Sequence, residues 1–203
     1  MSPKLVDDLH PKNMLAPKQR ESTCEAFPDC RDAAVALLDQ GEMLLEIVTD
    51  DLYGAHLAMA AGASIGGHYR HCLDHYACLL RGIDRGVIDY DDRGRDTLVE
   101  CDLSVALRST HELRESILQL GDAGHDGSVI VRCKIDYRHE ATQEVGSTLS
   151  RELMYVVAHG VHHFALIAMM ARVQNLVLPP DFGVAPSTLQ HRRQTLGRTT
   201  SAA

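Results

Sequence analysis

The sequence contains no tryptophan, and phenylalanine and tyrosine together make up only 4% of its 203 residues. A core with so few large rings has to be built from Leu, Val, Ile, Met and Ala, which favours packed helices over a β-sandwich. The apolar fraction of 45% and the charged fraction of 24% are those of an ordinary globular chain. A length of 203 residues is typical of one domain.

Long basic blocks are also missing, and the formal net charge is −8. A nucleic-acid-binding protein needs a concentrated positive surface, so no nucleic-acid partner is expected. Residues 1–20 carry charges and prolines without the apolar segment of an export signal, and we find no run of about 20 apolar residues. We therefore predict a cytoplasmic protein with no membrane partner.

The six cysteines lack the CxxC spacing of zinc ribbons and redox motifs. Since no export signal is present, a disulfide framework is not expected either. We interpret the cysteines as free thiols, with Cys72 and Cys78 as small core residues rather than nucleophiles.

Prolines and apolar periodicity divide the chain into three parts. We predict an N-terminal arm over residues 1–27, a helical domain over 28–178 and an irregular tail over 179–203. Within the domain, apolar residues recur at helical spacing in four segments. The predicted helices span residues 31–48, 64–85, 103–120 and 144–175.

The connections between these helices differ in character. Residues 50–62 are polar and contain glycine, which indicates a connection with one helical turn. Residues 89–102 are strongly charged and are predicted to form a surface connection. Apolar and polar residues alternate over 128–136, as in a half-exposed strand. The predicted fold is an all-α four-helix bundle with a short extended or hairpin insertion between the third and fourth helices.

Half of the twelve histidines fall in two short windows, each inside a predicted helix. On the second helix, His68, His71 and His75 stand at positions i, i+3 and i+7 and therefore share one face. On the fourth helix, His159 and His163 are one turn apart, about 40° from each other around the helix axis. His162 lies on the other side of His159.

Two imidazoles one turn apart can ligate one ion, and a third from a facing helix completes a site with an open coordination position. One hypothesis is a metal-dependent enzyme that activates bound water or a bound thiol. A second is a non-catalytic protein whose metal staples the helices or senses a ligand. A third is a metal-free bundle in which hydrogen-bonded histidines make stability depend on pH.

Other polar residues near these windows have two interpretations each. Glu152 shares the face of His159 and is our candidate catalytic residue, as a general base or as a hydrogen-bond acceptor behind a ligand; it could equally complement the helix dipole. Asp74 could orient a ligand imidazole or be a solvated surface residue. Arg70 could meet an anionic substrate or pair with nearby acids.

The segments SIGGHYRHCLDH and AHGVHHFALIA resemble those of the DinB-like superfamily, over residues 31–175. This resemblance implies a four-helix bundle, often a homodimer, in which His71, His159 and His163 bind Ni²⁺ or Zn²⁺, with His75 in reserve as the third ligand. It also implies a transferase or hydrolase that activates a low-molecular-weight thiol or water for reaction with an electrophile. The sequence departs from the superfamily pattern in its extra histidines, His68, His75 and His162.

Overall fold

The computed structural model describes residues 29–94, 97–120, 127–136, 138 and 141–200, with side chains described as far as residue 195. The predicted arm over residues 1–27 lies outside the described residues. The described part is mostly helical and includes one three-stranded mixed sheet. The helices are α1 Cys30–Ile47, α2 Asp50–Gly54, α3 Ile65–Ile83, α4 Leu103–Leu118, α5 Leu149–Val173 and α6 Pro186–Thr200. The strands are β1 Val87–Asp89, β2 Ser128–Cys133 and β3 Gln143–Thr148.

The four long predicted helices are confirmed as α1, α3, α4 and α5, and each begins at a side-chain cap. Asp29 caps α1 in a reciprocal capping box with Asp32. Ser64, Asp102 and Thr148 accept hydrogen bonds from the first backbone N–H groups of α3, α4 and α5. These caps satisfy N–H groups that would otherwise lack partners, so they fix where each helix begins.

The four long helices pack through one continuous apolar core. Helix α3 contacts α5 and α4, and α1 contacts α4 and α5. The largest fully buried side chains include Tyr53, Tyr69 and Tyr76, whose hydroxyls bond to Val99 O, Thr110 Oγ1 and Ala34 O. Burying these tyrosines is compatible with an aliphatic core because each polar end has a partner.

A three-stranded sheet contacts α3 through β1 and α5 through β3. Strand β1 is parallel to β2, with Ile88 opposite Val131, and β2 is antiparallel to β3. The β2–β3 hairpin confirms the insertion predicted between the third and fourth long helices. The all-α class was too narrow, because β1 adds a third strand. Helix α5 begins at Leu149 rather than at the predicted residue 144, since residues 143–148 pair with β2.

The predicted irregular tail was wrong for residues 186–200, which form α6. Pro186 occupies the first helical position, where its missing N–H is tolerated. Ahead of α6, Phe182 is 4% exposed and stacks on Phe164 with ring centroids 5.0 Å apart. The apolar core therefore continues past the domain limit predicted at residue 178. Helix α6 escaped prediction because its polar sequence lacks an apolar stripe.

Helix α5 is long and apolar enough to cross a membrane by length and composition alone. The same composition occurs in core helices, and α5 packs against both α1 and α3. Its outward face carries Met154, Met169 and Val173, each at least half exposed.

Candidate metal centre

Helices α3 and α5 lie against each other and bring three histidines together. His71 comes from α3, and His159 and His163 come from successive turns of α5. One ring nitrogen from each of the three lies within 4.8 Å of the others. The structure thus groups the three residues that the sequence predicted as ligands.

The spacing of these rings suits a single small ion. Ligand nitrogens at 2.0–2.1 Å from a tetrahedral zinc ion stand about 3.3 Å from one another. The Nε2 atoms of His71 and His159 are 3.0 Å apart. The His163 ring centroid is 4.6 Å from that of His71 and 4.5 Å from that of His159. Small ring movements would therefore bring the three nitrogens to ligating positions.

The three imidazoles are held in the neutral form, which is the form that ligates metals. The pKa of His71 is lowered to about 3, mainly by burial and in addition by the neighbouring histidines and Arg93. Burial is also the main cause for His159, with a pKa of about 3, and for His163, with a pKa of about 4. Their lone pairs are consequently available at neutral pH.

Two of the three additional histidines join this cluster. His75 is 5% exposed, and its Nδ1 is 2.9 Å from the carbonyl oxygen of His71, so Nδ1 carries the proton and donates. Its Nε2 then keeps a lone pair, and its ring centroid is 4.0 Å from that of His159. The Nδ1 atoms of His68 and His163 are 2.9 Å apart, so His68 can orient His163. His162 is exposed, and its ring contacts only the edge of the cluster, with its centroid 5.2 Å from that of His163.

Arg93 also contacts the cluster, although residues 89–102 were predicted to be a surface connection. Its Nη1 lies 2.9 Å from Nδ1 of His71. In the same segment Tyr90 is 7% and Val99 6% exposed, so part of the connection is core. The only sequence signal for these buried residues was the alternation of apolar and polar residues from Ile88 to Tyr90. The high charge of the residues that follow concealed this pattern.

Glu152 is completely buried and lies on α5 two turns before His159. One carboxylate oxygen accepts from the Tyr90 hydroxyl at 2.9 Å, and the other accepts from Arg151 at 2.8 Å and from Ser147. Its described hydrogen bonds therefore go to these three residues and none goes to a histidine. Tyr90 in turn stacks on His75, with ring centroids 5.4 Å apart. Glu152 thus contacts the cluster indirectly, through the ring of Tyr90.

Asp74 and Arg70 belong to an ion-pair network. Arg70 bonds to Asp74 and to Glu100, each at 2.8 Å. The predicted pairing of Arg70 with nearby acids is therefore confirmed. Asp74 is not a solvated surface residue, because its side chain is only 12% exposed, and its described hydrogen bond goes to Arg70 rather than to a histidine. The buried thiols Cys72 and Cys78 are free, and burial raises the pKa of Cys78 to about 11. A thiol with that pKa is protonated at neutral pH and is a poor nucleophile.

The histidine cluster opens to solvent through a cleft of about 390 Å³. Its lining includes Ser64, His68, Arg70, His71, Glu100 and His163. A small ligand can therefore approach His71 and His163 from the side of the α3 N-terminus.

Comparisons with known proteins add little to this geometry. No protein-family profile matches the chain, and no solved structure matches it. FK506-binding protein 5 of Rhizopus delemar is 31% identical over 105 residues, which is 52% of this chain. The match spans only 27% of the fungal protein, about a quarter of its length. It therefore does not show to which family the chain belongs.

Proposed function

We propose that this chain is a divalent-metal-binding four-helix bundle of the DinB-like superfamily, with His71, His159 and His163 as ligands of Zn²⁺ or Ni²⁺. The observation that carries the proposal is the approach of their ring nitrogens to within 4.8 Å of one another. The pairwise packing of α1, α3, α4 and α5 supports the bundle, and the neutral state of the rings supports ligation.

We propose further that the site is that of a transferase or hydrolase. A bound divalent ion supplies Lewis acidity, which lowers the pKa of water or of a thiol at an open coordination position. His68 orients His163, and the cleft beside His71 admits a small molecule such as a low-molecular-weight thiol. Glu152 acts in this scheme as a positioning residue that holds Tyr90 against His75.

A second candidate is a non-catalytic, metal-stapled binding protein. The observation that favours it is the position of His75. Its Nε2 keeps a lone pair, and its ring centroid is 4.0 Å from that of His159. If His75 fills the fourth position, the ion has four protein ligands, which is typical of structural zinc. No position would then remain for a substrate.

Cobalt substitution separates these two functions. We expect Co²⁺-loaded protein to develop a sulfur-to-cobalt charge-transfer band when 2-mercaptoethanol is added, because an open position accepts the thiolate. The His75→Ala variant is the matched control and should give the same band. A band that appears only in His75→Ala would favour the stapled protein, and no Co²⁺ uptake at all would contradict both candidates.

The cytoplasmic location and the homodimer are also proposals. The outward face of α5, with Met154, Met169 and Val173, would be covered in a homodimer.

A further inference from the structure

Arg93 contacts the histidine cluster through His71, and part of its guanidinium lacks a partner among the described residues. Its Nη1 is 2.9 Å from Nδ1 of His71. A guanidinium can only donate hydrogen bonds, so Nδ1 of His71 is the acceptor. The Nε atom of Arg93 is buried and has no hydrogen-bond partner among the described residues.

The positive charge of Arg93 is also not neutralised by a direct ion pair in the part of the chain that the structure describes. Asp74 lies near enough to feel this charge, but its carboxylate is bonded to Arg70 at 2.8 Å. A half-buried guanidinium with an unpaired N–H is unfavourable unless a ligand supplies the missing acceptor. Its planar, forked donors suit an oxyanion, which can accept two parallel hydrogen bonds.

The contact with His71 depends on which ring nitrogen carries the proton. Since Nδ1 accepts from Arg93, the proton of neutral His71 is on Nε2, which donates to Nε2 of His159 at 3.0 Å. Ligation of a metal through Nε2 would require the other neutral tautomer of His71, with its proton on Nδ1. Nδ1–H and the guanidinium would then be two donors facing each other, so this contact would be lost.

We propose that Arg93 is an oxyanion-binding residue of this centre, released from His71 by metal ligation and then available to hold a carboxylate or phosphate group of a small ligand. The inference rests on the proposed metal site and adds the class of its ligand. Three neutral imidazoles, a divalent ion and Arg93 together carry a charge of +3, which favours an anionic ligand.

The experiment measures binding of acetate and of methyl phosphate to the Zn²⁺-loaded full chain by calorimetry. The variants are Arg93→Gln and Arg93→Lys. The control is Arg108→Gln, which also removes one positive charge but lies on the exposed face of α4. Circular dichroism checks that each variant is folded. The probe that binds more tightly identifies the group as a carboxylate or a phosphate.

We expect at least one probe to bind the wild-type protein and to bind Arg93→Gln about tenfold more weakly or worse, which is a loss of at least about 1.4 kcal/mol. Arg93→Lys should show a partial loss, because its ammonium keeps the charge but not the fork. Arg108→Gln should bind as wild type does. The metal-free wild type should also bind about tenfold more weakly, because His71 then engages Arg93.

Metal affinity gives a second, independent result. Arg93→Gln should bind Zn²⁺ at least about threefold more tightly, because it removes a competitor for His71 and a nearby positive charge. Unchanged anion affinity in Arg93→Gln, or no binding of either probe to wild type, would overturn the assignment of Arg93. Equal anion affinity with and without metal, or unchanged Zn²⁺ affinity in Arg93→Gln, would contradict the proposed release of Arg93 from His71 on metal binding. Failure of wild type to take up Zn²⁺ would instead contradict the proposed metal site.

Discussion

Replacing His159 and His163 together with alanine is expected to reduce bound metal from about one ion per chain to almost none. The double variant leaves only His71 of the three proposed ligands, and a single imidazole holds a divalent ion weakly. The measurement is elemental analysis of untagged protein after equilibration with Zn²⁺ or Ni²⁺ and removal of free ion. The variant should remain folded, because both side chains are only partly buried.

The control for this experiment removes two other histidines. His162 and His191 are both exposed, and His162 is adjacent to His163 in the sequence. The variant His162→Ala/His191→Ala should keep about one ion per chain. Equal metal content in the His159→Ala/His163→Ala variant and in the wild type would contradict the proposed ligand set. So would loss of the ion from the His162→Ala/His191→Ala control.

The Glu152→Ala variant is expected to lower the free energy of unfolding by about 2–4 kcal/mol, because it leaves a cavity and removes the acceptor of a buried hydroxyl. Glu152 is completely buried, and Tyr90 donates to it at 2.9 Å. Urea unfolding monitored by circular dichroism measures the loss. The metal content of the folded variant should stay near one ion per chain, because Glu152 is not a ligand.

Two comparisons make the Glu152 result specific. Glu152→Gln keeps the shape and one acceptor for Tyr90, so its loss should be only about 1 kcal/mol. Glu144→Ala removes a glutamate that is 53% exposed and pairs with Arg132, so its effect should stay within about 0.5 kcal/mol. Wild-type stability of Glu152→Ala would show that the buried network does not support the site.

The long helices could be predicted from the sequence because their signals are local. Apolar residues of α1 such as Leu37, Leu38, Leu44 and Leu45 recur on one face, and all four are buried. Ser64, where the second predicted helix begins, is the N-cap of α3 in the structure. The grouping of His159 and His163 was equally predictable, since helical geometry fixes their relative direction.

Features that depend on distant partners could not be predicted in the same way. Strand β1 has only three residues, and it exists because β2, about 40 residues later, pairs with it. Helix α6 is polar and has no apolar stripe to indicate it. Arg93 stands in a charged segment whose path over the cluster is set by tertiary packing, so no local pattern distinguished it from a surface arginine.

The role of each extra histidine was also decided by packing. His68, His71 and His75 share one face of α3, and only the family resemblance, not their spacing, singled out His71 as the partner of His159 and His163. The packing of α3 against α5 decides these contacts. His68 lies beside His163, His71 contacts both His159 and His163, and His75 contacts Tyr90 and His159. The shared face was predictable and the individual contacts were not.

Anomalous X-ray scattering from crystals of Zn²⁺-loaded protein tests the shared ion most directly. Data collected on either side of the zinc absorption edge would locate the metal without reference to activity or to a substrate. We expect one strong peak between α3 and α5, about 2.0–2.1 Å from a ring nitrogen of each of His71, His159 and His163. A peak only at exposed histidines such as His162 or His191, or no peak in this cluster at full zinc loading, would contradict the account.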